Sequence, residues 1–470
     1  MENYIIENDL LKKIKKLDTN LYNEFESKLE IDINLTRKLV SNQANKTQPS
    51  YRWFKFKEGF SKDLVNYYID KYNNTNNIFD PFAGSGTTLF AASEKGIESQ
   101  GIELLPIGCE IINSRKILQC NFKDSDFQRL KYYVREKPWI NVTQKHKFSE
   151  VRITKYAYPD DTKILIEKYL HLINTESTNL FFILRFALLC ILESISYTRK
   201  DGQYLRWDHR SKRNQGKGNF NKGKILAFND AIVEKLNEII QDTFDPIELS
   251  VFDRIEQKKD KANISLICGS CLEELPKIYS NQFDLIITSP PYANRYDYTR
   301  TYALELAMLG STTEEFLKMR QTMLSCTVEN KEKDLLEIND KWSNVISILK
   351  EQELLLTIIE YLEYKKKNKT LNNNGIPRMI KGYFFEMACI IFELYRTLKN
   401  DGSVIMVNDN VRYAGISIPV DLILSQIAKK IGFTIDKISV LTQGKGNSSQ
   451  QMGEYGRKKL RKCVYIWRKI

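Results

Sequence analysis

Apolar positions along this chain follow two rhythms. Leu64, Val65, Tyr68 and Ile69 recur at helical spacing behind Ser61, a residue type that caps helix N-termini. Short unbroken runs read instead as buried strands. The first, Ile78-Phe79, enters Asp80-Pro-Phe-Ala-Gly-Ser-Gly-Thr-Thr88. A helix is predicted over Leu89 to Lys95, then a second strand ending Gln100-Gly-Ile-Glu103, which together make a nucleotide-type βαβ unit. The alternation returns at Ile264–Cys268, a helix Leu272–Ile278, and the strand Phe283–Thr288 leading into Ser289-Pro-Pro-Tyr292. It ends with a helix Tyr383–Leu398, a turn at Asn400-Asp-Gly402, a strand Ser403–Val407, a helix around Val420–Ile431, and strands near Ile435–Leu441 and Cys463–Trp467. The pattern predicts an α/β fold, one doubly wound sheet carrying inserted, mainly helical or irregular regions. Its divisions are an N-terminal helical extension at 1–50, sheet-domain pieces at 51–125, 262–310 and 378–470, a first insertion at 126–261 and a helical insert at 311–377.

A chain of 470 residues exceeds the roughly 250–300 that one core spans, so attached pieces suit the length. The net charge of +12 is concentrated in two segments. Arg199–Lys224 carries nine Lys/Arg against Asp201 and Asp208, and Gly444–Ile470 carries eight against Glu454. Two such patches suit a polyanion such as nucleic acid. The eight cysteines show no framework spacing and read as buried thiols of a reducing cytoplasm. Cys268 and Cys271 form a lone C-x-x-C without a second pair or a nearby His, so no metal is expected. Met1–Leu11 lacks the apolar stretch of a signal peptide. The most apolar run, Leu180–Ile195, is short and broken by Arg185 and Glu193, which argues for a buried helix and against a membrane partner. A cytoplasmic, prokaryotic protein is the expectation.

Candidate chemistry gathers at the ends of the predicted strands. In Asp80–Thr88, Gly84 and Gly86 let a strand turn sharply into a helix while the backbone closes on a ligand, and the helix N-terminus favours negative charge. Glu103, at the next strand end, is placed to accept from ribose hydroxyls. No G-K-[ST] follows the glycines, which disfavours a nucleotide phosphate. The decisive element is Thr288-Ser289-Pro290-Pro291-Tyr292. Two prolines after a buried strand end its ladder and fix the direction of the next carbonyls. Ser289 and the Pro290 carbonyl can accept from a planar amine, and Tyr292 can stack on the ring that bears it.

These motifs resemble those of S-adenosylmethionine-dependent DNA amino-methyltransferases, the family that modifies N4 of cytosine or N6 of adenine. The resemblance implies a Rossmann-like class I methyltransferase sheet binding S-adenosylmethionine through Asp80, Pro81, Phe82, Gly84, Gly86, Thr87, Thr88 and Glu103. The segment Trp53–Phe60, with Phe56, is similar to the family's wall of the cofactor pocket. Gly269-Ser-Cys-Leu272 resembles a Gly-Asp-x-Leu element, Ser270 replacing the Asp. Ser289, Pro290, Pro291 and Tyr292 resemble the catalytic motif in its cytosine-N4 form. The implied reaction flips a base out of double-stranded DNA and methylates its amine, with no metal or covalent intermediate. N6-adenine, RNA, a protein amide, or an inactive nucleic-acid-binding protein are the rivals. A cognate restriction endonuclease is the implied functional partner.

The glycine motif precedes the catalytic motif, an order similar to that of the class of this family whose target-recognition region lies between the two, and the resemblance implies DNA reading in 126–261. There Arg199, Arg206, Arg210, Lys212 and Arg213 are candidate DNA contacts, joined by Arg295 and Arg300 beyond the catalytic motif. His209 reads as a DNA or structural contact. Tyr296, Asp297 and Tyr298 are close enough to the motif to shape a base pocket, Asp409 and Asn410 fall at the same sheet edge, and Gly444-Lys-Gly446 is a basic loop.

Overall fold

The computed structural model describes residues 2–57, 59–72, 74–201, 204–213, 219–244, 261–442 and 452–470, so the Gly444–Gly446 loop lies outside the described residues. Among them the strands are β1 (Leu29–Ile31), β2 (Asn77–Asp80), β3 (Glu98–Glu103), β4 (Thr198–Asp201), β5 (Tyr204–Trp207), β6 (Ile264–Cys268), β7 (Phe283–Thr288), β8 (Leu398–Asp409), β9 (Val411–Tyr413), β10 (Ile416–Ile418), β11 (Thr434–Val440) and β12 (Lys462–Arg468). Eight form one sheet in the order β1-β11-β12-β8-β7-β2-β3-β6. Within it β12 runs antiparallel to both neighbours and the other pairings are parallel.

The central strands are apolar on both faces because helices cover both. Phe79, Ile286, Val404 and Met406 pack under the helices Ile376–Thr397 and Val420–Ile431. Ile78, Leu285, Ile287, Ile405 and Val407 pack with Leu64, Val65 and Tyr68 of the helix Lys62–Lys71, whose predicted cap holds: Ser61 Oγ accepts from Leu64 N. From β2 the chain winds one way to β3 and β6. From β7 it winds the other way to β8 and beyond, so the carboxyl ends of β2 and β7 form the switch point where α/β sheets bind ligands.

Several elements depart from the pattern. β1 joins the sheet edge parallel to β11, where helix and linker were expected, and carries no apolar signal because it is largely exposed and held by backbone pairing. The turn at Asn400–Gly402 is a bulge within a single long β8, marked by a register shift between Phe283 and Leu285 of β7. The helical stretch after 311 divides into Thr313–Thr322, Leu335–Ile338, Ser343–Lys350 and Glu353–Lys367. The N-terminal helix Glu2–Phe25 rests on the last of these, with Lys365 Nζ 3.1 Å from Glu7. Residues 126–244 contribute the helices Asp160–Ile173, Thr178–Ile191 and Phe228–Phe244 and the β4–β5 hairpin, which share an apolar body with Trp53, Phe54 and Tyr302. Cys109 and Cys268, expected as thiols, are joined as a disulfide, because the first turn of the helix Pro106–Cys120 lies against the end of β6. No helix among the described residues is long and apolar enough to cross a membrane.

Candidate active site

Asp80 closes β2 and Glu103 closes β3, so the sheet register sets two acids at one edge. The chain then turns through Pro81–Gly86 into the helix Thr87–Glu94. Gly86 has φ 77°, and a Cβ there would stand 2.8 Å from Ile112, so both conformation and packing demand glycine. The turn is tied to β3: Gly84 N donates to Glu103 Oε2 at 2.7 Å, and Leu105 N donates to Oε1 at 2.7 Å. Asp80 Oδ1 accepts from Thr288 Oγ1 at 2.7 Å and from Phe82 N at 3.0 Å. Burial pushes the Glu103 carboxyl up to about 7 and the Asp80 carboxyl to about 6, against the pull of these donors.

Both acids open onto a cavity lined also by Phe56, Pro81, Phe82, Gly84, Thr87, Ser270, Ser289 and Pro291. Gly86 and Thr88, predicted with them, stand behind its wall. Gly86 packs the helix, and Thr88 Oγ1 donates to the Ile287 carbonyl at 3.1 Å, pinning that helix to β7. Phe56 is held from two sides. Its ring stacks on Tyr302 at 5.2 Å, and the preceding Arg52 and Trp53 donate to Asp242 at 2.6 and 2.8 Å. Thr322, Met323 and Leu324, from the helical insert, also line the cavity, and Ser270 Oγ donates to the Thr322 carbonyl at 3.2 Å. Sequence reasoning missed these three because nothing local marks a loop that arrives by tertiary packing. Gly108 was missed too: a Cβ there would lie 2.5 Å from Glu103 Cγ, so a glycine just after a strand-end acid was the available signal.

Across the switch point β7 delivers Ser289-Pro-Pro-Tyr292. Ser289 Oγ donates to the Val407 carbonyl of β8 at 3.1 Å and lies 3.1 Å from the Tyr292 hydroxyl. Pro290 and Tyr292 are buried, whereas Ser289 and Pro291 face the cavity. Lys462, on β12, donates to the Tyr292 hydroxyl at 3.3 Å and pairs with Asp409 at 3.0 Å. Asp409 therefore stands at the predicted edge. Asn410 serves the helix Val420–Ile431 instead, its Oδ1 accepting from Asp421 N at 3.0 Å. Tyr298 lines the cavity, with the Tyr296 ring 4.7 Å away. Buried Asp297 pairs with Arg300 at 3.2 Å and Arg320 at 3.0 Å, stapling the segment after the motif to the insert. Arg300 also pairs with Glu329 at 2.9 Å. Arg295 has φ 68°, and its Nε has no hydrogen-bond partner among the described residues.

The basic segment is largely engaged with the protein itself. Arg210 grips Asp208 at 2.7 and 2.9 Å, holding that carboxyl well below the usual range, and Lys212 pairs with Asp160 at 2.5 Å. Arg213 lies 4.5 Å over the Trp207 ring and donates to the Ile153 carbonyl at 2.8 Å. Lys200 points inward to Glu305 at 2.5 Å. Exposed Arg199 and Arg206 face each other across the hairpin on its outer side, Arg206 also touching Asp201 at 3.4 Å. His209 Nδ1 lies 3.3 Å from the Phe220 carbonyl, a structural contact.

A doubly wound sheet with a buried acidic pocket and a Ser-Pro-Pro-Tyr turn at one switch point defines a Rossmann-like methyltransferase. Residues 8–116 match the family model described as DNA methylase. Type II methyltransferase M.AvaI of Nostoc sp. is 54% identical over 461 residues, 98% of this chain and 94% of that protein, and the protein of that name from Anabaena variabilis gives the same figures. Type II methyltransferase M.BsoBI of Geobacillus stearothermophilus is 41% identical over 462 residues, covering 92% of this chain and 88% of that one. The chain belongs to this family of S-adenosylmethionine-dependent DNA amino-methyltransferases. The pocket fits that donor. An acid with no cation among the forces on it suits hydroxyl donors and a nearby sulfonium, and the apolar walls of Phe56, Pro81 and Met323 suit a flat ring.

Proposed function

We propose that this enzyme methylates N4 of cytosine in double-stranded DNA, with Asp80, Phe56, Gly84, Thr87, Glu103 and Ser270 forming the cofactor cradle and Ser289–Tyr292 the catalytic turn. Bound S-adenosylmethionine supplies an electrophilic methyl group. The observation that carries the reading is the placing of Ser289: its hydroxyl lies at the cavity wall on the sheet edge that also holds both acids. An exocyclic amine is a poor nucleophile because its lone pair is delocalised into the ring. Hydrogen bonds from that amine to Ser289 Oγ and the Pro290 carbonyl favour its pyramidal form and hold it in place. Ser289 is an uncharged hydroxyl where adenine-modifying relatives of the resembled family carry Asp or Asn, which supports cytosine.

DNA is engaged from 126–261. The outer face of the β4–β5 hairpin carries Arg199 opposite Arg206, an arrangement that costs stability in isolation and suits a polyanion. A two-stranded ribbon is of a size to enter a major groove. Arg295, beside the catalytic turn, adds a cation close to the reaction. The type II names of the relatives extend the proposal to a cognate restriction endonuclease that reads the same sequence.

The test is incubation with unmodified genomic DNA and isotopically labelled cofactor, followed by digestion to nucleosides and mass spectrometry. Label in N4-methylcytosine is the expected result. Label in N6-methyladenine overturns the target base, and label accepted by RNA alone overturns the substrate class. Cofactor binding without transfer to any nucleic acid supports an inactive binding protein.

A further inference from the structure

Lys462 belongs to the basic Gly444–Ile470 segment and to none of the cofactor or catalytic motifs, yet it reaches the catalytic turn. β12 is the antiparallel strand of the sheet, and its register sets Lys462 directly opposite Asp409 of β8. The pair is mostly buried, and Lys462 Nζ sits 3.0 Å from Asp409 Oδ1, 3.3 Å from the Tyr292 hydroxyl and 5.1 Å from the centre of its ring.

The direction of each hydrogen bond follows from what the groups can do. A serine hydroxyl has one proton and two lone pairs. The Val407 carbonyl can only accept, so the Ser289 proton points to it. The Tyr292 hydroxyl must then be the donor in its 3.1 Å contact with Ser289. Its own oxygen is left to accept from the ammonium of Lys462, which cannot accept. The chain Lys462, Tyr292, Ser289, Val407 thus runs one way, and a lone pair of Ser289 Oγ remains for an incoming amine. Without the cation, the Tyr292 hydroxyl is as ready to accept from Ser289 as to donate to it. The Ser289 proton is then released from Val407 and can meet the amine donor to donor.

We propose that Lys462, anchored by Asp409, is a positioning residue that orients the Ser289 hydroxyl through Tyr292. This rests on the reading that Ser289 receives the target amine, and it holds whichever base carries that amine. The test measures kcat, the KM for DNA, cofactor affinity and melting for the wild type, Lys462→Met, Lys462→Arg, Tyr292→Phe and the Lys462→Met/Tyr292→Phe double variant. Lys462→Met is expected to lower kcat by roughly ten- to hundredfold, the effect of one charge-assisted hydrogen bond, with KM and cofactor affinity little changed. Lys462→Arg should restore most of that loss. In the Tyr292→Phe background, Lys462→Met should cost almost nothing more, since its route of action is gone. A wild-type kcat in Lys462→Met, a loss that adds in full to that of Tyr292→Phe, or a loss confined to KM overturns the proposal. If Lys462→Met fails to fold, Asp409→Asn, which frees the ammonium from its anchor, takes its place, and an unchanged kcat there overturns it equally. A wild-type protein that methylates no nucleic acid overturns the proposed function and this inference together, whereas methylation by the wild type with any of the contrary variant results overturns this inference alone.

Discussion

Asp80 and Glu103 lie buried at the sheet edge with hydrogen-bond donors but no cation among the forces acting on them, and their carboxyls are pushed upward. The cations of the basic segment around the β4–β5 pair are arranged in the opposite way. Arg210, Lys212 and Lys200 are each matched to a carboxylate, and Lys222, which burial lowers to about 8, donates to the carbonyls of Glu193 and Ser196. A group satisfied within the protein builds structure, and a group left short of partners is available to a ligand. The count of charges in the sequence therefore overstates the cations of this segment left to a ligand, among which Arg199 stays exposed on the outer side of the hairpin. It also understates the acidic pocket at the sheet edge, where two acids are held at a cost to stability.

The largest effect that sharpens this contrast is on cofactor binding. Glu103→Ala is expected to weaken S-adenosylmethionine by about 1.5–3 kcal/mol in titration calorimetry, the scale of a charge-assisted hydrogen-bonding group. Unchanged affinity in a folded variant removes Glu103 from the site. Stability should depend on pH. Glu103 holds its proton more tightly in the folded chain, at about 7 against an ordinary 4.5, so the folded state loses stability as pH rises through that window, and the loss is complete above it. Glu103→Gln leaves the N–H of Gly84 or Leu105 facing an amide NH2 and so costs stability at every pH, but it removes the titration, and its melting relative to the wild type should improve from pH 4 to pH 8. A melting difference that stays constant across that range breaks the contrast from the acidic side.

The smallest expected effect tests the cationic side. Replacing Arg199 and Arg206 with Ala should flatten the slope of log K for DNA against log[salt] by about 1.8, two phosphates' worth, with little change in melting. Replacing Arg210, Lys212 and Arg213 should lower the melting temperature and leave the slope closer to wild type. The reverse outcome assigns DNA contact to the paired cations.

What the sequence made legible was local. β6 and β7 and the helix Val420–Ile431 fall where the apolar runs put them, and the glycine turn and the Pro-Pro turn announce themselves by residues that few other conformations need. What it hid was set by partners far along the chain. Arg210 reads like Arg199 in a string of letters, and only folding shows that one grips Asp208 while the other faces outward. The closing of the cavity by Met323, the tie of Cys109 to Cys268 and the reach of Lys462 to Tyr292 join segments remote in sequence, so no periodicity or motif could carry them.

The central claim, that Glu103 is an acid kept without a cation for the cofactor, is tested most directly by S-adenosylmethionine affinity against pH. Ligand hydroxyls and a sulfonium favour the ionised carboxyl, so binding should release a proton wherever Glu103 is protonated in the free protein. For the wild type, log K should rise between about pH 5.5 and 7.5, around the value near 7 to which burial pushes this group, and level off above. Glu103→Gln should bind more weakly at pH 8 and show only the titration of the ligand itself. Wild-type and Glu103→Gln curves that run parallel across this range would contradict the account.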